Sequence, residues 1–416
     1  MNWLNWRCRQ TITAASLDWY KTSTISEEHL ILGRDKGFVE IYKLEECLKK
    51  RVEFRSHSPC FDYLRSTEIP ESIDSLAVVP SGNRELLVLS SNLKTMKLWN
   101  VRSSYAQKEE DTNVLDCGTD FSSSQDLCEE GPIEAQVKEG SAEQLEKIFS
   151  RGLEKKPRVS LERERTPEKT YNIHSVSVSS NGEQVLISDE LSVSLYSAEL
   201  EEKWKAVDIK PGKTEELCKI ITTAKFVDRS STMLAYGTSS GTVEIHDMRE
   251  STHCEASRSL NSSNSSWFYG EVICPVSDVF FVTDTVVATR NLEYVILHDM
   301  RAASSVLKEI DVYPLVKKKI PDLYDTDEVF SKFKISVLEN KVYTGSFNTV
   351  LAEIDATKMQ INRTFLEPEM EKATRIVDRK KVACISVDGD CMAATVSNQC
   401  YIFRSEAKNG AADKNP

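Results

Sequence analysis

Short runs in which apolar and polar residues alternate recur along the chain. Each closes on an apolar or aromatic position or a histidine: Gly37 to Tyr42, Lys94 to Trp99, Leu191 to Tyr196, Gly241 to His246, Glu293 to His298, Thr349 to Ile354 and Asn398 to Phe403. Alternation such as Val39/Ile41 and Val243/Ile245 has the period of a strand, not of a helix. About ten residues before the closing position lies another short strand, as at Leu86 to Leu89, Met233 to Tyr236 and Val286 to Thr289. The residues between them are turn formers, as in Gly33 to Gly37 and Gly237 to Gly241. The closing positions are spaced by 57, 97, 50, 52, 56 and 49 residues. A near-constant period of this size marks a repeat architecture. Seven hairpins predict an all-β, seven-bladed WD-repeat-type β-propeller over residues 1–404, closed into a ring that leaves only short edges. The Trp-Asp pair of WD repeats is degenerate here, with His246-Asp247 and His298-Asp299 in its place and Asn100 after Trp99.

The spacing of 97 exceeds one blade by roughly 45 residues, by comparison with the others. The excess predicts a long insert from the second blade, residues 102–170. Its first half is acidic and serine-rich, Ala142 to Arg151 suits a short helix, and Glu154 to Lys169 is a charged stretch. Such a segment buries little and is expected as an excursion from the propeller rim. Thr166-Pro167 within it is a candidate phosphorylation site. Residues 405–416 are expected to form a flexible tail.

Charge narrows the partners. The 416-residue chain carries a formal net charge of -12, which argues against general nucleic-acid binding and against adhesion to anionic membranes. It suits basic partners. Its 11 cysteines form no CxxC pair and read as reduced thiols, so the expected location is cytoplasmic, with the nucleus as an alternative. The most apolar stretch, Val272 to Thr289, is interrupted by Asp278 and Asp284. Catalytic signatures are missing: no phosphate-binding GxxxxGK[ST], no HExxH, no GxSxG and no cysteine spacing of a common zinc site. Gly33 and Gly37 read as a hairpin turn, and His246 and His298 as structural residues in the anchor slot that elsewhere holds Trp, Tyr or Phe. No enzyme activity, cofactor or metal is expected.

Phe61 to Ile73 is similar to a stretch of the WD-repeat B-type regulatory subunits of serine/threonine protein phosphatase 2A. Further collinear similarities lie at Lys94 to Trp99, Tyr171 to Ser177, Val207 to Pro211 with Glu215 to Leu217, Asp247 to Arg249, Phe330 to Phe333, Thr344 to Asn348 and Tyr401 to Phe403. The resemblance implies a non-catalytic, seven-bladed propeller that joins a phosphatase scaffold subunit and a catalytic subunit as a heterotrimer. It would recruit basic phosphoprotein substrates through an acidic groove on one face. Carried over residue by residue, that groove would use Lys36, Asp189, Glu190, Glu215, Glu216, Leu217 and Phe347, the last in place of a family tyrosine. Phe61, Asp62, Tyr63, Leu64 and Arg65 would contact the scaffold. Without the resemblance, Asp189 and Glu190 read as a solvated hairpin turn, and the chain as a propeller scaffold in an unrelated multiprotein complex. The chain departs from the family in three places: residues 102–170 have no match, Asn291 replaces an acid, and the segment before the last blade is shorter.

Overall fold

The computed structural model describes residues 2–3, 6–14, 18–26, 28–45, 47–63, 66–81, 85–103, 157–165, 171–197, 203–227, 232–250, 258–261, 275–302, 306–377 and 379–405. They form seven antiparallel sheets of the propeller type and one small hairpin, Cys60–Asp62 with Thr67–Ile69. Blade 1 is built from Tyr20–Ser26, His29–Arg34, Phe38–Lys43 and Lys49–Arg55, in that order from the inside outwards. Blade 3 (Ser175–Val178, Gln184–Ser188, Ser192–Ser197, Lys203–Asp208), blade 4 (Ile221–Phe226, Met233–Thr238, Thr242–Asp247, Arg258–Asn261), blade 5 (Asp278–Phe281, Val286–Arg290, Tyr294–Asp299, Val306–Asp311) and blade 6 (Ile335–Leu338, Lys341–Gly345, Val350–Asp355, Gln360–Phe365) repeat this order. In blade 7 the inner three strands are Val382–Asp388, Cys391–Val396 and Gln399–Ser405, the fourth is Trp6–Thr13 from the other end of the chain, and the two-residue strand Asn2–Trp3 pairs outside it. The innermost strands touch one another in chain order and the last touches the first, so the ring is closed.

Why these strands form follows from their alternation. In the second and third strands of blade 1, Leu30, Leu32 and Tyr42 pack toward blade 7, while Ile31, Val39 and Ile41 pack against Leu76, Val88 and Val101 of blade 2. Successive side chains point to opposite faces, and here both faces meet a neighbouring blade. The middle strands therefore read as nearly continuous buried runs, and the core lies between blades. All seven closing positions found in the sequence fall on third strands. Tyr42, Tyr196, His246, His298, Ile354 and Phe403 are buried. Trp99 is only half-buried: its indole N–H donates to Ser56 Oγ (2.8 Å) and Ser90 Oγ (3.2 Å), and its ring leans on Phe54.

One boundary moves. Pro157–Arg165 is the outermost strand of blade 2, paired with Met96–Ser103 (inner strands Leu86–Ser91 and Ser75–Val79). Part of the stretch assigned to the insert thus belongs to the blade. Its charge hid it: the strand lies on a sheet edge, where only Val159 packs on the core and Leu161 stays largely exposed. Residues 104–156 and Thr166 lie outside the described residues, as does the tail 406–416. Among the described residues no helix is long and apolar enough to cross a membrane. Seven described cysteines are free thiols.

Candidate functional site

In each blade the turn between the second and third strands lies beside the start of the innermost strand, because these strands run antiparallel: Tyr20 pairs with Arg34, Ser175 with Ser188 and Ile335 with Thr344. The third strand's start also faces the fourth strand's end, as Ser192 faces Asp208 and Phe38 faces Arg55. One face of the ring therefore gathers these turns and the crossovers between blades. All described sequence-predicted site residues lie on it. Lys36 sits in the blade 1 turn, Asp189 and Glu190 in the blade 3 turn, and Phe347 in the blade 6 turn. Glu215, Glu216 and Leu217 lie on the crossover from blade 3 to blade 4, and Phe61, Asp62 and Tyr63 on that from blade 1 to blade 2.

Sharing a face is not the same as facing solvent. Asp189 is 3% exposed. Its Oδ1 accepts the backbone N–H groups of Leu191 (2.8 Å) and Ser192 (2.6 Å), and its Oδ2 accepts the Ser192 hydroxyl (2.7 Å). The same device occurs in two other blades, where Asn92 Oδ1 accepts from Lys94 and Thr95 and Asn291 Oδ1 from Glu293 and Tyr294. An Asx side chain that closes its own turn is a common turn solution. Asp189 is therefore a turn-closing residue, and its carboxylate is not offered to a ligand.

Phe347 is likewise removed from the groove. It is fully buried, with Phe333 edge-on at 5.2 Å and Leu292, Tyr313 and Val316 in the same cluster. The reason is the segment following blade 5. Two short helices, Pro314–Lys318 and Ile320–Asp325, place Val316 and Leu323 in that cluster over the blade 6 turn. An aromatic at this turn faces protein instead of water.

What remains exposed is narrower. Thr214–Glu216 is a single 3-10 turn. Glu215 and Glu216 are exposed and Leu217 is 39% exposed. Glu190 is half-buried beside this crossover. Its backbone carbonyl accepts the N–H of Ile221, and its Oε1 lies 3.4 Å from the N–H of Asn172. Lys36 Nζ is held 2.8 Å from Asp18, and that hydrogen bond raises the lysine's pKa. The blade 1 turn closes on Gly37 at φ +76, where an added Cβ would meet the His57 carbonyl at 2.2 Å. A side chain could not be carried there. At the other crossover, Tyr63 is 86% exposed and stacks edge-on with the exposed Phe61 at 5.1 Å. Leu64 and Arg65 lie outside the described residues.

A second set of charged residues, not singled out by the sequence pattern, lies at the centre of this face. Lys21, Asp74, His174, Lys332 and Lys334 all stand at or just before the start of an innermost strand. Their signal in the sequence is weak: one or two polar residues next to a strand start, spread over four repeats. Below them runs a channel of ≈ 400 Å³ lined by innermost strands, with Lys225 paired to Asp278 (2.8 Å) in its wall. Among the described residues no group of three or more His, Cys, Asp or Glu side chains could hold a metal ion.

The chain is similar to known proteins at two levels. It is 30% identical over 349 residues to a B-type regulatory subunit of protein phosphatase PP2A from Candida tropicalis, covering 78% of this chain and 65% of that protein. It is 29% identical to the beta isoform of the 55 kDa B-type regulatory subunit of serine/threonine protein phosphatase 2A from Arabidopsis thaliana, over 76% of this chain and 67% of that one. The alpha isoform from the same plant is also 29% identical, over 72% and 64%. The chain thus spans about two thirds of the length of these relatives. In structure it is similar to Raptor of Chaetomium thermophilum, with a TM-score of 0.62 at 11% identity over 96% of this chain and 29% of that one. That likeness speaks to the propeller fold alone. No protein-family model matches the chain.

Proposed function

The chain is a divergent member of the family of 55 kDa B-type regulatory subunits of protein phosphatase 2A, and on that premise we propose that it is a non-catalytic subunit that joins a phosphatase core and selects its substrates. The observation that carries the substrate-selecting part is the joint exposure of Glu215 and Glu216 on one 3-10 turn and of Leu217 just after it, on the crossover that ends at Ile221, whose N–H donates to the Glu190 carbonyl. Exposed carboxylates at Glu215 and Glu216 followed by an exposed apolar Leu217 suit a peptide that carries arginine or lysine beside an apolar residue. Charge complementarity of this kind chiefly raises the encounter rate and sets register. The exposed pair Phe61 and Tyr63 is the corresponding candidate for scaffold contact, since exposed aromatics are characteristic interface anchors.

The test is a pull-down of the full chain with purified phosphatase scaffold and catalytic subunits, followed by dephosphorylation of one basic and one acidic phosphoprotein. Assembly is expected, with no phosphate release by the chain alone. In the triple variant Glu190→Lys, Glu215→Lys, Glu216→Lys, assembly should persist, while binding of the basic substrate weakens about 5- to 30-fold. Recovery of neither subunit would overturn the membership in a phosphatase complex. Normal assembly with unchanged substrate preference would overturn the groove.

A further inference from the structure

We propose that the mouth of the central channel, on the face just described, is a binding site for a phosphate monoester, built from Lys21, Lys332 and Lys334 with His174. The lysines lie near the axis and reach across it. Lys332 stands just before the innermost strand of blade 6, yet its Nζ lies 3.1 Å from His174 Nδ1, before blade 3, and 3.2 Å from the Thr222 carbonyl of blade 4. Lys334, two residues on, donates from Nζ to the carbonyl of Asp74 before blade 2 (3.3 Å). Lys21 is exposed at the start of blade 1. These four side chains come from three repeats, those of blades 1, 3 and 6, and only ring closure brings them together.

Their partners are the reason for the assignment. Among the described residues none of the three lysines has a carboxylate oxygen within ion-pairing distance. Lys332 and Lys334 bond only neutral groups, a carbonyl or an imidazole nitrogen. An ammonium carries three donors, so donors remain unused on both. The acids nearby are Asp74 and Asp278. Asp278 is already paired with Lys225 and accepts the N–H of Ile335 at 2.8 Å. Asp74 accepts from the Ser72 hydroxyl, and burial raises its pKa against the pull of Lys21, Lys334 and Lys332. One carboxylate is left facing three ammonium groups, in a chain whose overall charge is -12.

Crowded, partly desolvated cations of one sign repel, and an anion among them removes the repulsion. At Lys332 desolvation first and the neighbouring Lys334 second lower the pKa to about 8, although the side chain keeps contact with water. Burial also holds His174 neutral, at about 3. With Nδ1 accepting from Lys332, its proton resides on Nε2, a buried donor without a protein partner. Of the four residues Lys334 also lines the channel below, ≈ 400 Å³, which gives room beside it for a group several times the size of a water. A phosphate dianion supplies the two charges and multiple acceptors that this set of donors lacks.

A phosphate of this kind can come from a phosphorylated side chain or from a small soluble phosphate. If the substrate-selecting role holds, the first source makes the mouth a reader of a second phosphate, separate from the one the catalytic subunit removes. The experiment needs no phosphatase core, so it can fail or succeed apart from that role. The isolated full chain is titrated with inorganic phosphate and watched by NMR at the His174 ring and the lysine ammonium groups. It is then titrated with a phosphoserine peptide whose flanking residues are uncharged, and with the unphosphorylated peptide.

Phosphate should shift the His174 and Lys332 signals. The phosphopeptide should bind about tenfold more tightly than its plain counterpart, and Lys332→Gln with Lys334→Gln should abolish that preference while the melting curve stays native. A response to inorganic phosphate without peptide preference supports the site and assigns it to small soluble phosphates. No response of the wild-type signals to either ligand overturns the proposal without any variant. So does a phosphate preference that survives in the folded double variant.

Discussion

Asp189-Glu190 and Glu215-Glu216 are both acidic pairs on one face of one sheet-to-sheet neighbourhood, and they have opposite fates. The first pair sits in a tight turn, where the strands converge and backbone N–H groups of the following residues point inward. Asp189 satisfies them and is buried by doing so. The second pair sits on a crossover that travels outside the sheets, in a 3-10 turn whose side chains meet water. The lesson is that a charge in a turn of this architecture is structural when the turn is short enough to need it. On a connection between blades, as at Glu215 and Glu216, it stays in contact with water and open to a partner. The same contrast separates Phe347 in its covered turn from Leu217 on the crossover.

The largest expected effect tests the buried half of this contrast. Phe347→Ala should destabilise the chain by about 3–5 kcal/mol, as for a large aromatic truncated in a core, read from urea unfolding. A loss under about 1 kcal/mol, the size typical of a surface change, would return Phe347 to the surface. Next in size is Asp189→Ala, which leaves two buried N–H donors and a hydroxyl without an acceptor and should cost about 1–3 kcal/mol. Asp189→Asn should cost much less, because Asn92 and Asn291 close the equivalent turns with an amide oxygen. If Asn is as harmful as Ala, charge and not turn closure is what the position requires.

A third prediction takes the contrast to a buried histidine. His298 is buried in its anchor slot with Nε2 3.1 Å from the Thr289 hydroxyl, and burial lowers its pKa to about 4. The folded state thus keeps it neutral where the unfolded chain, with an ordinary value near about 6.5, takes up a proton. Its contribution is fully present above about pH 6.5 and declines as pH falls toward about 4, by roughly 1–2 kcal/mol between about pH 7 and about pH 5. His57, also lowered to about 4 by burial, acts in the same direction. Unfolding midpoints measured at about pH 7 and about pH 5 should converge in His298→Phe relative to wild type. The smallest effect is expected on the exposed half. Leu217→Ala, Glu215→Gln and Glu216→Gln should each change stability by less than about 0.5 kcal/mol. A melt lowered well beyond that would show the crossover to be packed.

The seven closing positions were legible in the chain because the repeat imposes one strand period and one turn chemistry at a near-constant spacing, and a buried third strand admits only apolar residues or engaged polar ones. The turn at Gly37 was legible for the same local reason. The outer strand Pro157–Arg165 was not, since an edge strand with little to bury carries no apolar alternation, and its charges resemble a linker. Exposure was not legible either. That Asp189 turns inward depends on N–H groups in the next three residues, but that Phe347 is covered depends on helices some twenty to thirty residues earlier. The channel mouth lies furthest from the sequence. Lys21, Asp74, His174, Thr222 and Lys332 are spread over five blades, and their proximity arises only when the ring closes, because closure brings the starts of all innermost strands to one axis.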